Sequence, residues 1–382
     1  MNTAKRKILL VYRALDSSTR LCGYSQLRYL QDKNLIEFHH GDIFHLCKRD
    51  LDWCDLLVMV RGDSPLFLLA ARLCHNAGKK FVYVLDDDLL NVPQQFSCGP
   101  FYAEASVQNA INTLIETCDY FASPSCVLQD KYGKDRIISI IEPALMVVSN
   151  KEKKNSDVVR IGFAGSKDRG IDMDSILTES LIEITRKYQD KISIEIFGTD
   201  TELSKRIPCE VLPYMNDYQA YQKKMCELQW DIGLAPMPDT EFHRCKHYNK
   251  LVEYSGFGIA GIFSNVTPYC EIVEDHVNGI LCENSKDAWV EAISELIENP
   301  QLRSSIAQSC ISQARTVFTL ENAAEELLQQ LNKIEILPYT RISPAIFYME
   351  KMKITGVWVI QKLKTWGWRA PWIILKKIKD RL

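Results

Sequence analysis

Short apolar runs recur along the chain, each followed by a polar loop and then by a stretch of helical spacing. KILLVY (7–12) is the first. It is too short for an amphipathic helix and has the continuous hydrophobicity of a strand buried on both faces. A polar loop with Gly23 follows, then helical spacing through Leu27 and Leu30. DLLVMVR (55–61), KKFVYVLDDD (79–88), YFASPS (120–125) and RIISII (136–141) predict further strands. Leu66–Asn76 and Gln108–Cys118 have the helical period, and Gly78 ends the first of these helices.

A second series begins at VVRIGFAG (158–165) and continues through ISIEIFG (192–198), WDIGLAP (230–236) and GIAGIFS (258–264). Trp289–Ile297 and Arg303–Val317 predict closing helices. Strand and helix in alternation imply parallel, doubly wound sheets. Between the series lies SNKEKKNSD (149–157), charged and without apolar period, which reads as a linker. The expected fold is α/β, with two Rossmann-like domains, 1–150 and 151–335, facing each other across a cleft. A basic amphipathic tail, 336–382, completes the chain.

Composition supports two cores, since 46% of the 382 residues are hydrophobic. The net charge of −3 hides an asymmetry. From Arg341 to Leu382 there are ten Lys/Arg and two acids, a net +8, which leaves −11 on the rest. An anionic partner for the tail follows. Trp358, Trp366, Trp368 and Trp372 also fall there, among Lys, Arg and short apolar patches, which suits an anionic membrane surface. A helix packed on the acidic body is the alternative. Nucleic acid is disfavoured by the apolar share of the tail and the acidity of the body. The 13 cysteines include no C-x-x-C and read as reduced thiols of a cytoplasmic protein. Lys5-Arg6-Lys7 precedes too short an apolar run for a secretory core, and nothing approaches the ~18 apolar residues of a membrane span. The expected location is cytoplasmic, peripheral at the inner face of a membrane.

Candidate chemistry gathers where the predicted strands end. Lys246, Lys250 and Glu253 stand at i, i+4 and i+7 and share one helix face, a stripe suited to phosphates and sugar hydroxyls together. After IGFAG, Gly165 allows close backbone approach, and Lys167 or Arg169 can meet a phosphate. In SNVTPYCEIV (264–273), Thr267 is a natural N-cap and Pro268 a natural first helical residue, so free N–H groups there can hold an anion. Asp86, Asp87 and Asp88 can orient a sugar hydroxyl, act as base, bind Mg²⁺ or Mn²⁺, or simply cap a helix. The first loop, with Arg20 and Gly23, leaves its strand toward the same cleft. His243 and His247 straddle a loop-to-helix junction, which does not suit a metal pair.

From Arg160 to about Val317 the chain resembles the donor-binding half of GT-B glycosyltransferases of the group 1, family-4-like type. The matching pieces are IGFAGS, EIFG, DIGLAP, the K-x-x-x-K-x-x-E-Y block (246–254), SNVTPYCEIV and VNGILC. The resemblance implies a nucleotide-sugar donor held mainly by the C-terminal half. Glu253 would hold the ribose, with Lys250 and Lys167 acting at the diphosphate. Gly165, Ser166, Gly198, Lys246 and the N–H groups of Val266 and Thr267 would bind the donor. Arg20, Gly23, Asp86, Asp87 and Asp88 would face the acceptor, a glycan or lipid-linked sugar of cell-surface polysaccharide synthesis. The resemblance further implies a retaining transfer that uses no metal or other cofactor. The family's first glutamate, eight positions before Glu253, is Cys245 here, and Asp239 or Glu241 can supply that carboxylate instead. A non-catalytic binding protein and a nucleotide-sugar epimerase are the alternatives.

Overall fold

A computed structural model describes residues 5–148 and 158–366, with side chains up to Gly356 in the final helix. The apolar runs form the centres of two six-stranded parallel sheets. In the first, β1 (Lys7–Tyr12), β2 (Glu37–Asp42), β3 (Leu56–Val60), β4 (Lys80–Val84), β5 (Tyr120–Ser123) and β6 (Ile137–Ser139) lie in the order β2-β1-β3-β4-β5-β6. Their register sets Leu10, Val58 and Val82 side by side, all buried. In the second, β7 (Val159–Ala164), β8 (Ile192–Phe197), β9 (Glu210–Leu212), β10 (Ile232–Ala235), β11 (Ala260–Ser264) and β12 (Ile280–Cys282) lie in the order β12-β11-β10-β7-β8-β9.

Helices cover both faces of each sheet, as parallel sheets require. Pro65–Asn76 and Ala105–Thr117 bury Phe67, Leu73, Ile111 and Leu114 on one face of the first, and Ser25–Asp32 buries Leu27 and Leu30 on the other. On the second, Lys167–Tyr188 and Lys286–Glu298 contribute Leu177, Leu181, Trp289 and Ile293. Tyr218–Leu228 and Asn249–Phe257 contribute Met225, Leu251 and Tyr254 to the opposite face. The strands without a clear apolar run are edges. In β2 only Phe38 is buried, and β9 buries nothing, so neither carries a hydrophobic signal.

The halves do not divide where the apolar series suggest. The helix Leu320–Asn332 returns to the first sheet, where Ala324, Leu327, Leu331 and Ile334 join Leu27, Leu30, Val58 and Val82 in one core. Its apolar stripe fits the face that Ser25–Asp32 leaves open, so residues 320–334 belong with the N-terminal half rather than with 151–319. The tail begins by docking on that half too. Ile342 and Phe347 are buried beside Leu51 and Leu73, and Lys351 Nζ donates to the Leu46 carbonyl at 2.7 Å. Glu350 pairs with Arg72 at 2.9 Å. The opposite face of this helix, Pro344–Trp366, leaves Ile346 (49%) and Met352 (68%) exposed. Among the described residues no helix is long and apolar enough to cross a membrane. The 149–157 stretch and the side chains of the four tail tryptophans lie outside the described residues. All 13 cysteines are free thiols.

Candidate active site

Loops leaving the carboxyl ends of β1, β3, β4, β7, β8 and β10 line one cleft of about 490 Å³. On its N-terminal wall, Arg61 follows β3 with φ 51°, a left-handed conformation that costs an arginine energy. Its Nη1 donates to Ser18 Oγ at 2.9 Å and to Asp86 Oδ2 at 3.3 Å. Burial works against the guanidinium charge, but Asp86, Tyr102 and Asp87 outweigh it and hold the pKa well above its ordinary value. Burial pushes the Asp86 carboxyl up, against the pull of Arg61.

The C-terminal wall combines glycine turns, a helix start and cations. Gly198 follows β8 at φ +98°, and a Cβ there would lie 2.4 Å from the Gly165 carbonyl oxygen, so both turns pack as bare backbone. Beside them the helix Lys167–Tyr188 starts at Ser166, and Ser166, Asp168 and Arg169 line the same space, where a helix start leaves backbone N–H groups without helical partners. Across from these, Lys250 and Glu253 form an ion pair on the helix Asn249–Phe257. Burial and the Glu253 carboxylate hold the Tyr221 phenol well above its ordinary pKa, so it stays a hydrogen-bond donor. At the floor, Glu142 accepts from Asn249 Nδ2 at 2.7 Å, and His247 Nδ1 lies 3.2 Å from it. Burial opposes the charge of Glu142, yet His247 holds its pKa below the usual value.

Residues 250–315 match the family described as glycosyl transferases group 1. The chain superposes on HepE from Anabaena, solved with UDP and glucose, with a TM-score of 0.61 and 15% identity, covering 86% of this chain and 100% of that one. The fold is GT-B, and its 250–315 stretch is similar to group 1 glycosyl transferases. The sucrose-phosphate synthase of Thermosynechococcus elongatus superposes with a TM-score of 0.59 and 11% identity over 86% of this chain and 99% of that one. A Listeria monocytogenes protein assigned as a UDP-N-acetylglucosamine 2-epimerase gives 0.54 and 12%, over 86% and 96%. No curated protein matches the chain by sequence.

The GT-B cleft brings together Asp86, Asp87, Gly165, Ser166, Gly198, Lys246, Lys250 and Glu253. Lys246 reaches it from the loop before the Asn249–Phe257 helix rather than from the helix itself. Other expected residues lie outside the lining. Lys167 is exposed, because two positions along a helix turn a side chain by about 200°, and Arg169 takes the cleft-facing place. The Val266 N–H already donates to the Ser264 carbonyl at 2.8 Å. Thr267 does not cap the next helix, which spans only Tyr269–Ile272; its hydroxyl meets Glu271 at 3.0 Å. Asp239 pairs with Arg244 at 2.6 Å and Glu241 with Lys131 at 2.7 Å, both at the surface. Arg20 lies over the Tyr24 ring, and Gly23 is buried near Leu10. Asp88 is buried, held by Lys131 at 2.9 Å and Tyr132 at 2.8 Å. Among the described residues no cluster of His, Cys, Asp or Glu has the geometry to hold a metal.

Cys245 does not face the cleft. It is 1% exposed in the core of the N-terminal half, with Phe242 beside it and Asp88 Oδ2 3.8 Å from its sulfur. Burial and Asp88 push its thiol up to about 11. The short helix Glu241–Arg244 therefore plugs into the opposite half. Neither Asp239 nor Glu241 replaces the missing carboxylate inside the cleft. Arg61, Glu142 and Tyr221 are lining residues that the sequence reading passed over. Arg61 had a usable signal, since it ends a predicted strand; Tyr221, inside a weakly patterned helix, had none.

Proposed function

We propose that this protein transfers a glycosyl group from a nucleoside diphosphate sugar to an acceptor hydroxyl. The observation that carries the reading is the Lys250–Glu253 pair, inside the group 1 segment, facing Gly165, Gly198 and Arg169 across one cleft. Glu253 accepts hydrogen bonds from the ribose hydroxyls. Arg169, Lys250 and the first-turn N–H groups of Lys167–Tyr188 meet the diphosphate. As the anomeric C–O bond to phosphate breaks, negative charge grows on the departing diphosphate, and these fixed donors stabilise it without any metal. The acceptor hydroxyl bonds to the anomeric carbon from the N-terminal side, near Asp86 and Arg61, and its proton leaves with the diphosphate. We take the transfer as retaining, as the group 1 resemblance implies.

The acceptor in this reading is a lipid-linked or cell-surface glycan. The support is the docked start of the tail, which leaves Ile346 and Met352 exposed, together with the net +8 that the sequence carries from Arg341 to Leu382. In the same reading the protein is cytoplasmic and bound at an anionic membrane face, which the basic, tryptophan-containing tail supports. Incubation with UDP-, GDP-, ADP- and CDP-sugars plus a glycolipid extract tests the reading. Release of nucleoside diphosphate with a sugar-extended lipid supports it. A new epimer without release favours the epimerase chemistry assigned to the Listeria neighbour, and no change with any donor removes both.

A further inference from the structure

Arg169 packs against the Gly165 turn, where a Cβ added to the glycine would lie 2.7 Å from the Arg169 Cβ, and a buried chain of side chains fixes it. Its Nη1 donates to Asp172 Oδ2 at 3.0 Å, three residues on along the same helix face. Its Nη2 reaches the Pro236 carbonyl at 3.4 Å. The same Asp172 oxygen lies 3.2 Å from His243 Nε2. Asp172 and His243 are both 4% exposed. Thr240 Oγ1 accepts the His243 backbone N–H at 3.3 Å and stands 2.7 Å from Nδ1. The Asp172 carboxylate can only accept, so the imidazole proton sits on Nε2 toward it, and the Thr240 hydroxyl can donate its hydrogen to Nδ1.

This chain ties helix Lys167–Tyr188 to the loop after β10, and the other half of the protein leans on both. Ser97 donates to Asp168 through its N–H at 2.7 Å and its hydroxyl at 2.9 Å, one residue before Arg169. The Phe96 ring packs edge-on against Phe242 and His243, with centroids 5.7 and 6.1 Å apart. A flexible arginine loses much of its rotamer freedom when it grips a phosphate, and a carboxylate already holding one edge of the guanidinium removes part of that cost beforehand. Among the described residues, three of its five N–H donors have no hydrogen-bond partner and can meet a ligand.

We infer that Asp172 and His243 are positioning residues that hold Arg169 toward the donor's diphosphate, with Ser97 bracing the same helix turn from the acceptor half. The inference rests on the nucleotide-sugar reading above. Neither residue touches the donor itself; both act through Arg169.

Calorimetric titration of the full chain with UDP, GDP, ADP and CDP, and with the four matching nucleosides, tests this. His243→Leu and Asp172→Asn are expected to weaken the preferred diphosphate about five- to tenfold while changing the nucleoside less than about twofold. His243→Gln, whose Nε2 can replace the imidazole donor, restores diphosphate affinity to within about twofold of wild type. Unchanged diphosphate affinity in both disruptive variants overturns the inference while leaving the donor reading intact. Parallel loss of nucleoside and diphosphate shows a merely structural role and overturns it too. If wild type binds none of the diphosphates, the donor reading itself fails and the inference falls with it.

Discussion

Lys246 crosses the cleft to Asp87, with Nζ 2.7 Å from Oδ1. The two residues come from different halves, so this ion pair exists only when the halves are together. Ser97–Asp168 and Lys131–Glu241 join the same halves beside it. The three consecutive acids therefore do three jobs: Asp86 holds Arg61, Asp87 holds Lys246, and Asp88 anchors Lys131 and Tyr132.

The Asp87–Lys246 pair makes the closed arrangement acid-sensitive. Burial alone would raise the Asp87 pKa, but Lys246 and Arg61 outweigh it and bring it down to about 2. A carboxyl whose pKa is depressed on folding stabilises above its unfolded value, near 4, and loses that contribution as the pH falls toward 2. Asp87→Asn should therefore lower stability by about 1–2 kcal/mol at pH 7. The deficit against wild type should shrink steadily in melting curves taken from pH 5 down to pH 2. An equal deficit at every pH would mean that the pair contributes nothing electrostatic.

Glu253 should matter for the ligand more than for the fold. Saturating nucleoside diphosphate, at about 100 times Kd, stabilises a protein by about 2.7 kcal/mol, which reads as a clear rise in melting temperature. Glu253→Ala should remove that rise while its own ligand-free melting temperature drops little. A variant that still shifts like wild type would take Glu253 out of the site.

Installing the family's glutamate at position 245 should harm the protein. The Cys245 side chain is buried against the opposite half and next to Asp88, so a carboxylate there meets apolar packing and a like charge. Cys245→Glu should cost about 3 kcal/mol or more and lower activity, whereas Cys245→Ser should be mild. Enhanced turnover in Cys245→Glu, measured with the preferred donor, would show that the residue reaches the sugar after all.

The tail separates into a docked part and a free-standing question. Ending the chain after Gly356 keeps Ile342 and Phe347 in their core. That shortened protein should melt like the full chain but no longer sediment with vesicles containing anionic lipid. Met352→Glu in the full chain should weaken vesicle binding as well, since Met352 is 68% exposed beside the basic segment. Undiminished sedimentation of the shortened chain would place any membrane contact elsewhere.

Much of this architecture was legible because buried parallel strands are written as unbroken apolar runs: KILLVY, DLLVMVR and IGFAG each became a central strand. The edge strand EFHHGD was not, because one buried residue leaves no pattern. The return of Leu320–Asn332 to the first half was hidden for another reason: periodicity shows that a helix has an apolar face but not which sheet receives it. Lys250 and Glu253 could be placed because three residues apart on a helix is a fixed geometry. Lys167 against Arg169 could not, since that choice depends on where the helix begins. Cys245 marked a departure in the sequence, yet only packing shows that its side chain is turned into the other half.

The central claim is that the C-terminal half grips a nucleoside diphosphate between Lys250–Glu253 and the Gly165/Gly198/Arg169 wall. A crystal structure of the protein with its preferred nucleoside diphosphate tests it most directly. Ribose hydroxyls should lie on the Glu253 carboxylate and diphosphate oxygens within about 3 Å of Arg169, Lys250 or the helix-start N–H groups. A nucleotide bound outside this cleft, or inside it with Glu253 and Arg169 both untouched, would contradict it.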